Sequence, residues 1–146
     1  MGLDMYLTAH GYLSSHREGD DDKSQKIGEI MGSPFRVKEV RADAGYWRKA
    51  NAIHRWFVEN VQDDEDNCQE YDVDDDQLRE LLECCRAVLA DPSKAEELLP
   101  PQEGFFFGST EIDDGYWHDI AQTIKICENV LDNLPDGWWL TYRASW

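Results

Sequence analysis

The sequence predicts an α+β fold, with a small antiparallel sheet including N- and C-terminal strands, covered by about three helices. Three observations carry that expectation. Leu3–Leu13 begins with strict alternation: Leu3, Met5, Leu7 and Ala9 face one way, and Asp4, Tyr6, Thr8 and His10 the other. That is the period of a half-buried strand. The closing stretch WWLTYRASW repeats the pattern, with Trp138, Leu140 and Tyr142 on one face. Between these ends, Tyr46–Val61, Leu78–Leu89 and Tyr116–Leu134 carry apolar stripes at helical spacing.

Taken in order, Ser14–Lys26 is polar around a glycine and reads as a mobile loop. Pro34 then opens a second strand through Phe35, Val37 and Val40. Asp43 is placed to cap the helix Tyr46–Val61. On that helix Tyr46, Ala50, Ile53, Phe57 and Val61 share one side, which Trp47 and Val58 extend. His54 falls inside this arc and Asn51 at its edge, while Trp56 projects opposite, toward a second packing layer or a partner. The acidic run after Val61 reads as a solvated linker or loop with a short strand at Glu70–Val73. Asp74 or Asp75 caps a helix whose stripe is Leu78, Leu81, Leu82, Cys85, Val88 and Leu89. Asp91-Pro92-Ser93 stops it, and Ser93 caps a short turn before Pro100-Pro101. Gly104–Thr110, GFFFGST, reads as a buried aromatic strand or a surface on which a flat ligand stacks. A helix from Asp113 to about Asn133 leads to the Asp136-Gly137 turn.

A chain of 146 residues with 41% hydrophobic content and six tryptophans is expected to form a single domain, 1–146, with a real core. The four cysteines lack any C-x-x-C spacing and read as reduced thiols of a cytoplasmic protein. No apolar run approaches the roughly 18–20 residues of a membrane span. The net charge of −17 is unevenly placed. Residues 1–60 balance nine basic against nine acidic side chains; residues 61–146 hold five against twenty-two, which accounts for all of it. Such a surface disfavours direct nucleic-acid binding, which needs clustered Lys and Arg. It serves either solubility or a basic partner.

Candidate chemistry begins with Asn51 and His54. Three residues apart on a helix, they can address one neighbour or ligand. A buried imidazole or amide left unpaired costs about 1–3 kcal/mol, so each must bond to the fold or face a cavity. Gly108-Ser109-Thr110 could meet an anion near a helix start, although Glu111, Asp113 and Asp114 oppose this. No Walker lysine follows. Asp72, Asp74, Asp76 and Glu83 match positions of a calcium loop, but Gln77 stands where glycine is needed. The histidines and cysteines lack zinc spacing, and nothing requires a cofactor.

MGLDMYL, YWRKANAIHRWFVENVQ, QLRELLECCRAVL and ELLPPQEGFFFGSTEIDDGYW together resemble a family of small uncharacterised tailed-bacteriophage proteins. The resemblance implies an accessory protein in the cytoplasm of an infected bacterium, with no activity or functional residues to transfer. The leading expectation is a non-enzymatic binding module for a small nucleotide-like ligand, such as a defence signal. Its expected ligand-binding residues are Tyr46, Trp47, Arg48, Asn51, His54, Phe106 and Ser109, with Arg36, Lys38, Arg41 and Lys49 supplying further positive charge. The alternatives are an acidic inhibitor that imitates a nucleic-acid backbone or docks onto a basic host protein, and a hydrolase using His54. Homo-oligomerisation is compatible with each.

Overall fold

The computed structural model describes residues 2–146. Its elements run β1 (Asp4–Tyr12), α1 (Asp20–Met31), β2 (Glu39–Arg48), α2 (Asn51–Asn60), β3 (Tyr71–Val73), α3 (Asp75–Ala90), α4 (Ala95–Leu98), α5 (Asp114–Asn133) and β4 (Trp139–Ser145). A single 3-10 turn, Pro92–Lys94, joins α3 to α4. The strands form one antiparallel sheet in the order β2-β1-β4-β3, so both outer segments of the chain lie in its centre. The fold is α+β, as the alternation of Leu3–Leu13 and the closing strand predict.

Pairing register decides which face is buried. Met5 stands opposite Trp47 and Ala144, and Leu7 opposite Gly45 and Tyr142. These residues meet Ile53, Phe57, Leu78, Leu81 and Ile120 in one core. The reverse face carries Tyr6, Tyr12, Tyr46 and Trp139, each 39–52% exposed. It also holds Asp4–Arg48 and Glu39–Arg41 ion pairs.

Three expectations about boundaries are corrected. Tyr46, Trp47 and Arg48 belong to β2, and the helix begins only at Asn51. Pairing with β1 from Tyr12↔Glu39 to Asp4↔Arg48 outweighs the helical periodicity of the segment. Lys49, in the left-handed region at φ 57°, turns the chain from strand to helix. Asp43 is therefore mid-strand and caps nothing; the residue preceding α2 is Ala50, with no side-chain cap. The second strand accordingly starts at Glu39, beyond Phe35 and Val37.

The polar stretch read as a loop becomes α1. Asp20, Asp21 and Asp22 occupy its first turn, where the helix dipole favours them. It lacks an apolar stripe because its buried face is small: Asp20, Ser24 and Gly28. The Val37 amide donates to Ser24 Oγ at 2.7 Å, and a Cβ on Gly28 would stand 3.0 Å from the Ser33 carbonyl oxygen. The GFFFGST segment is a turn, not a strand, with Phe107 buried and Phe105 94% exposed. Asp91, rather than Ser93, caps the 3-10 turn. Leu89 lies on the exposed side of α3, outside the stripe assigned to it.

Other expectations hold. β3 lies within Glu70–Val73, and Asp74 caps α3 in a reciprocal box with Gln77. Asp113 caps α5. Trp56 is in a core layer, 5% exposed and edge-on to Phe57 at 5.3 Å. All four cysteines are free, and burial raises the Cys127 thiol to about 12. No helix among the described residues is long and apolar enough to cross a membrane.

Helix α5 crosses β2 where Gly45 leaves room: a Cβ there would fall 2.6 Å from Ile126 Cγ2. Overpacking of this kind costs about 1–3 kcal/mol. Gly45→Ala is expected to lower stability by that amount in urea denaturation, whereas Gly19→Ala would act only through its own left-handed backbone, since no atom lies within 4 Å of the added carbon.

Candidate functional site

Asn51 opens α2, and its side chain reaches across to the 102–109 segment. The amide nitrogen donates to the carbonyl oxygens of Phe107 at 3.0 Å and Ser109 at 2.9 Å. The amide oxygen accepts from the Gln102 backbone N–H at 3.0 Å. Every strong hydrogen-bonding position of the carboxamide facing this loop is taken by main chain. One turn later His54, wholly buried, bonds through Nδ1 to the Tyr142 hydroxyl at 2.7 Å and through Nε2 to Asp66 Oδ1 at 2.8 Å. The pair that sequence places beside a ligand thus holds the fold together. Asn51 fixes the aromatic turn, and His54 ties α2 to β4 and to the acidic segment.

The remaining expected residues separate. Trp47 is buried, and its indole N–H donates to Thr123 Oγ1 at 2.9 Å. Tyr46 and Arg48 both bond to Asp4 on the open sheet face. Phe106 is half-buried, with its carbonyl accepting from the Leu3 amide at 3.1 Å. Arg36 pairs with Asp21 and Arg41 with Glu39, so of the basic residues grouped in sequence only Arg48 and Lys49 come together at one cleft.

Arg48, Asn51 and Ser109 do share a cleft of about 290 Å³, between the β2–α2 junction and the start of α5. Ala52, Ile53 and Ile120 supply apolar surface, and Glu111, Asp113 and Asp119 also line it. Burial is the main reason that the Asp119 carboxyl is pushed up to about 6, with Asp113 adding to the shift and His118 opposing it. His54 and Phe106 do not reach this cleft. Arg48 and Lys49 also line it, but Arg48 is paired with Asp4 and three carboxylates face them, which opposes phosphate there.

The acidic residues form the other site-scale feature. Of the twenty-two in 61–146, all but the half-buried Asp119 are exposed. Only Asp66, Asp76 and Glu128 of them enter ion pairs among the described residues. The segment leading to β3 is a solvated loop, as the sequence allows, and it is held by its own hydrogen bonds. Gln62 is buried and donates to the Glu65 carbonyl at 2.7 Å; Asp63 and Asp64 turn at φ 51° and 63°. Asn67 and Tyr71 exchange hydrogen bonds at 2.8 and 3.1 Å. No cluster of metal-binding side chains is present among the described residues. Compared with protein families, curated proteins and solved structures, the chain matches none.

Two pH effects of opposite sign follow from these groups. Desolvation lowers His54 below the ordinary 6.5, against the pull of Asp66. Its contribution to stability is complete above the unfolded pKa and is lost as pH falls through the folded one. The stability difference between the protein and His54→Gln is expected to shrink as urea denaturations move from neutral pH to about pH 5. Asp119 behaves oppositely, because its raised pKa makes the folded state take up the proton first. Asp119→Asn is expected to raise the melting temperature at neutral pH, with the gain vanishing below the unfolded value of 3.8.

Proposed function

We propose that this protein is a non-enzymatic docking module whose ordered acidic surface engages a basic macromolecular partner. The observation supporting this is the uncompensated charge on a rigid frame. Asp75, Asp76, Glu80 and Glu83 project from the solvent side of α3, next to the exposed acids of the preceding segment. The helix is anchored by Leu78, Leu81 and Leu82 in the core, so its outer charges keep fixed relative positions. A fixed array of like charge creates a focused potential that speeds encounter with a basic surface and discriminates against acidic ones. Self-repulsion among these carboxylates destabilises the free protein, and a basic partner relieves it. The phage-family resemblance would make such a partner a host protein. A hydrolase built on His54 lacks support, since the imidazole is sealed between Tyr142, Asp66 and the Phe107 ring.

Capture from bacterial lysate on the immobilised protein tests the reading. Basic proteins are expected to be retained at low salt and released at high salt, as screening shortens the reach of the field. The quadruple neutralisation of Asp75, Asp76, Glu80 and Glu83 to amides should reduce that retention at least fivefold without altering the fold. Retention that is insensitive both to salt and to these substitutions overturns the proposal.

A further inference from the structure

On one side of Trp138, whose other side shares a cleft with Asp72, Asp74 and Asp75, the end of the sheet and α1 enclose a groove of about 560 Å³. This lies within the roughly 300–1,000 Å³ typical of small-ligand sites. Its apolar part comes from Leu13, Ile27, Val40, Pro135 and the Trp138 ring. The indole lies directly on the backbone of β1: a Cβ on Gly11 would fall 2.3 Å from Trp138 Cε2. Glycine at this position is what lets the ring lie flat. Tyr12, on the opposite face of the sheet, borders the rim of the groove.

The charge lining the groove is unlike that of the rest of the chain. Arg17, Lys23 and Lys26 border it, faced by the single carboxylate of Asp136. Arg17 is already committed, to Asp20 at 2.6 Å and to the Tyr12 carbonyl at 2.6 Å. Lys23 comes no nearer than 3.8 Å to Asp20, and Lys26 enters no ion pair among the described residues. Lys26 and the loosely paired Lys23, three apart on α1 and both exposed, therefore present two ammonium groups beside an aromatic and aliphatic floor. Planar rings stack on such a floor, and phosphate oxygens take charge-assisted hydrogen bonds from ammonium groups.

We propose that this groove binds a nucleoside phosphate, with the base against Trp138 and the phosphate between Lys23 and Lys26. The site adjoins the acidic docking surface at Trp138 but uses none of its carboxylates, so the two readings fail independently. Titration calorimetry with adenosine monophosphate is the direct test, with adenosine and inorganic phosphate as half-ligand controls. Saturable binding of the monophosphate is expected, at least tenfold tighter than either control. Lys23→Gln combined with Lys26→Gln, both at exposed positions, should weaken it about tenfold while leaving adenosine unaffected. In nitrogen–proton correlation spectra the Gly11 amide and the Trp138 indole N–H should shift on addition of the monophosphate. Absence of saturable binding, equal affinity in the double variant, phosphate alone binding as tightly, or shifts confined to residues outside the groove each overturn the proposal.

Discussion

The contact on which the remaining architecture depends is between α2 and the inner strand β4. Tyr142 is buried in the sheet, its ring stacked on Phe57 at 3.8 Å with an interplanar angle of 7°. Its hydroxyl cannot be left dry and unpaired, so His54, one turn before Phe57, must meet it. The imidazole then has a second nitrogen to satisfy, and Asp66 supplies the acceptor. One aromatic stack thus dictates a polar chain that reaches from the sheet, through the helix, to the acidic segment. Burial raises the Tyr142 hydroxyl well above its ordinary range, so it stays protonated throughout the physiological interval.

That chain also explains why an acidic run so rich in aspartate is ordered. A segment containing Asp63, Asp64, Glu65 and Asp66 would repel itself into a loose coil if nothing held it. Here Asp66 is fixed by His54, Gln62 by the end of α2, and Asn67 by Tyr71. Each anchor uses a neutral or singly paired group and leaves the neighbouring carboxylates to solvent. The cationic groove lies elsewhere, bordered by α1 within the charge-balanced first sixty residues.

The sheet ends, α3 and α5 were legible because their patterns reported burial directly. Leu3 through Ala9 alternate and are buried accordingly, and the Asp74 and Asp113 caps stand where the helices begin. Tyr46–Arg48 misled because a strand of mixed polarity, half-covered on one face, carries no sharper signature than a helix entering its first turn. Only partner strands settle that choice, and sequence periodicity contains no partner. Helix α1 escaped because glycine and serine form its inner surface, so no apolar stripe marks it. With α1 unseen, Lys23 and Lys26 had no face to share and Trp138 no groove to line; the helical spacing of Lys23, Lys26 and Ile27 was the available clue. Asn51 and His54 were rightly singled out as buried polar groups, but their partners, distant main chain and a tyrosine 88 positions away, are invisible to local pattern.

The strand order has an implication for how the chain assembles. β4 is flanked by β1 on one side and β3 on the other, and β3 is only three residues long. The short strand has no other neighbour in the sheet, so it cannot be zippered into place before the final strand arrives. Closing the loop between β1 and β4, more than a hundred residues in contour, is entropically the demanding event, and such non-local pairing slows folding. Until then Leu3, Met5 and Leu7 have only one flanking strand and no Tyr142 to complete their wall, leaving the nascent sheet with an open, apolar seam.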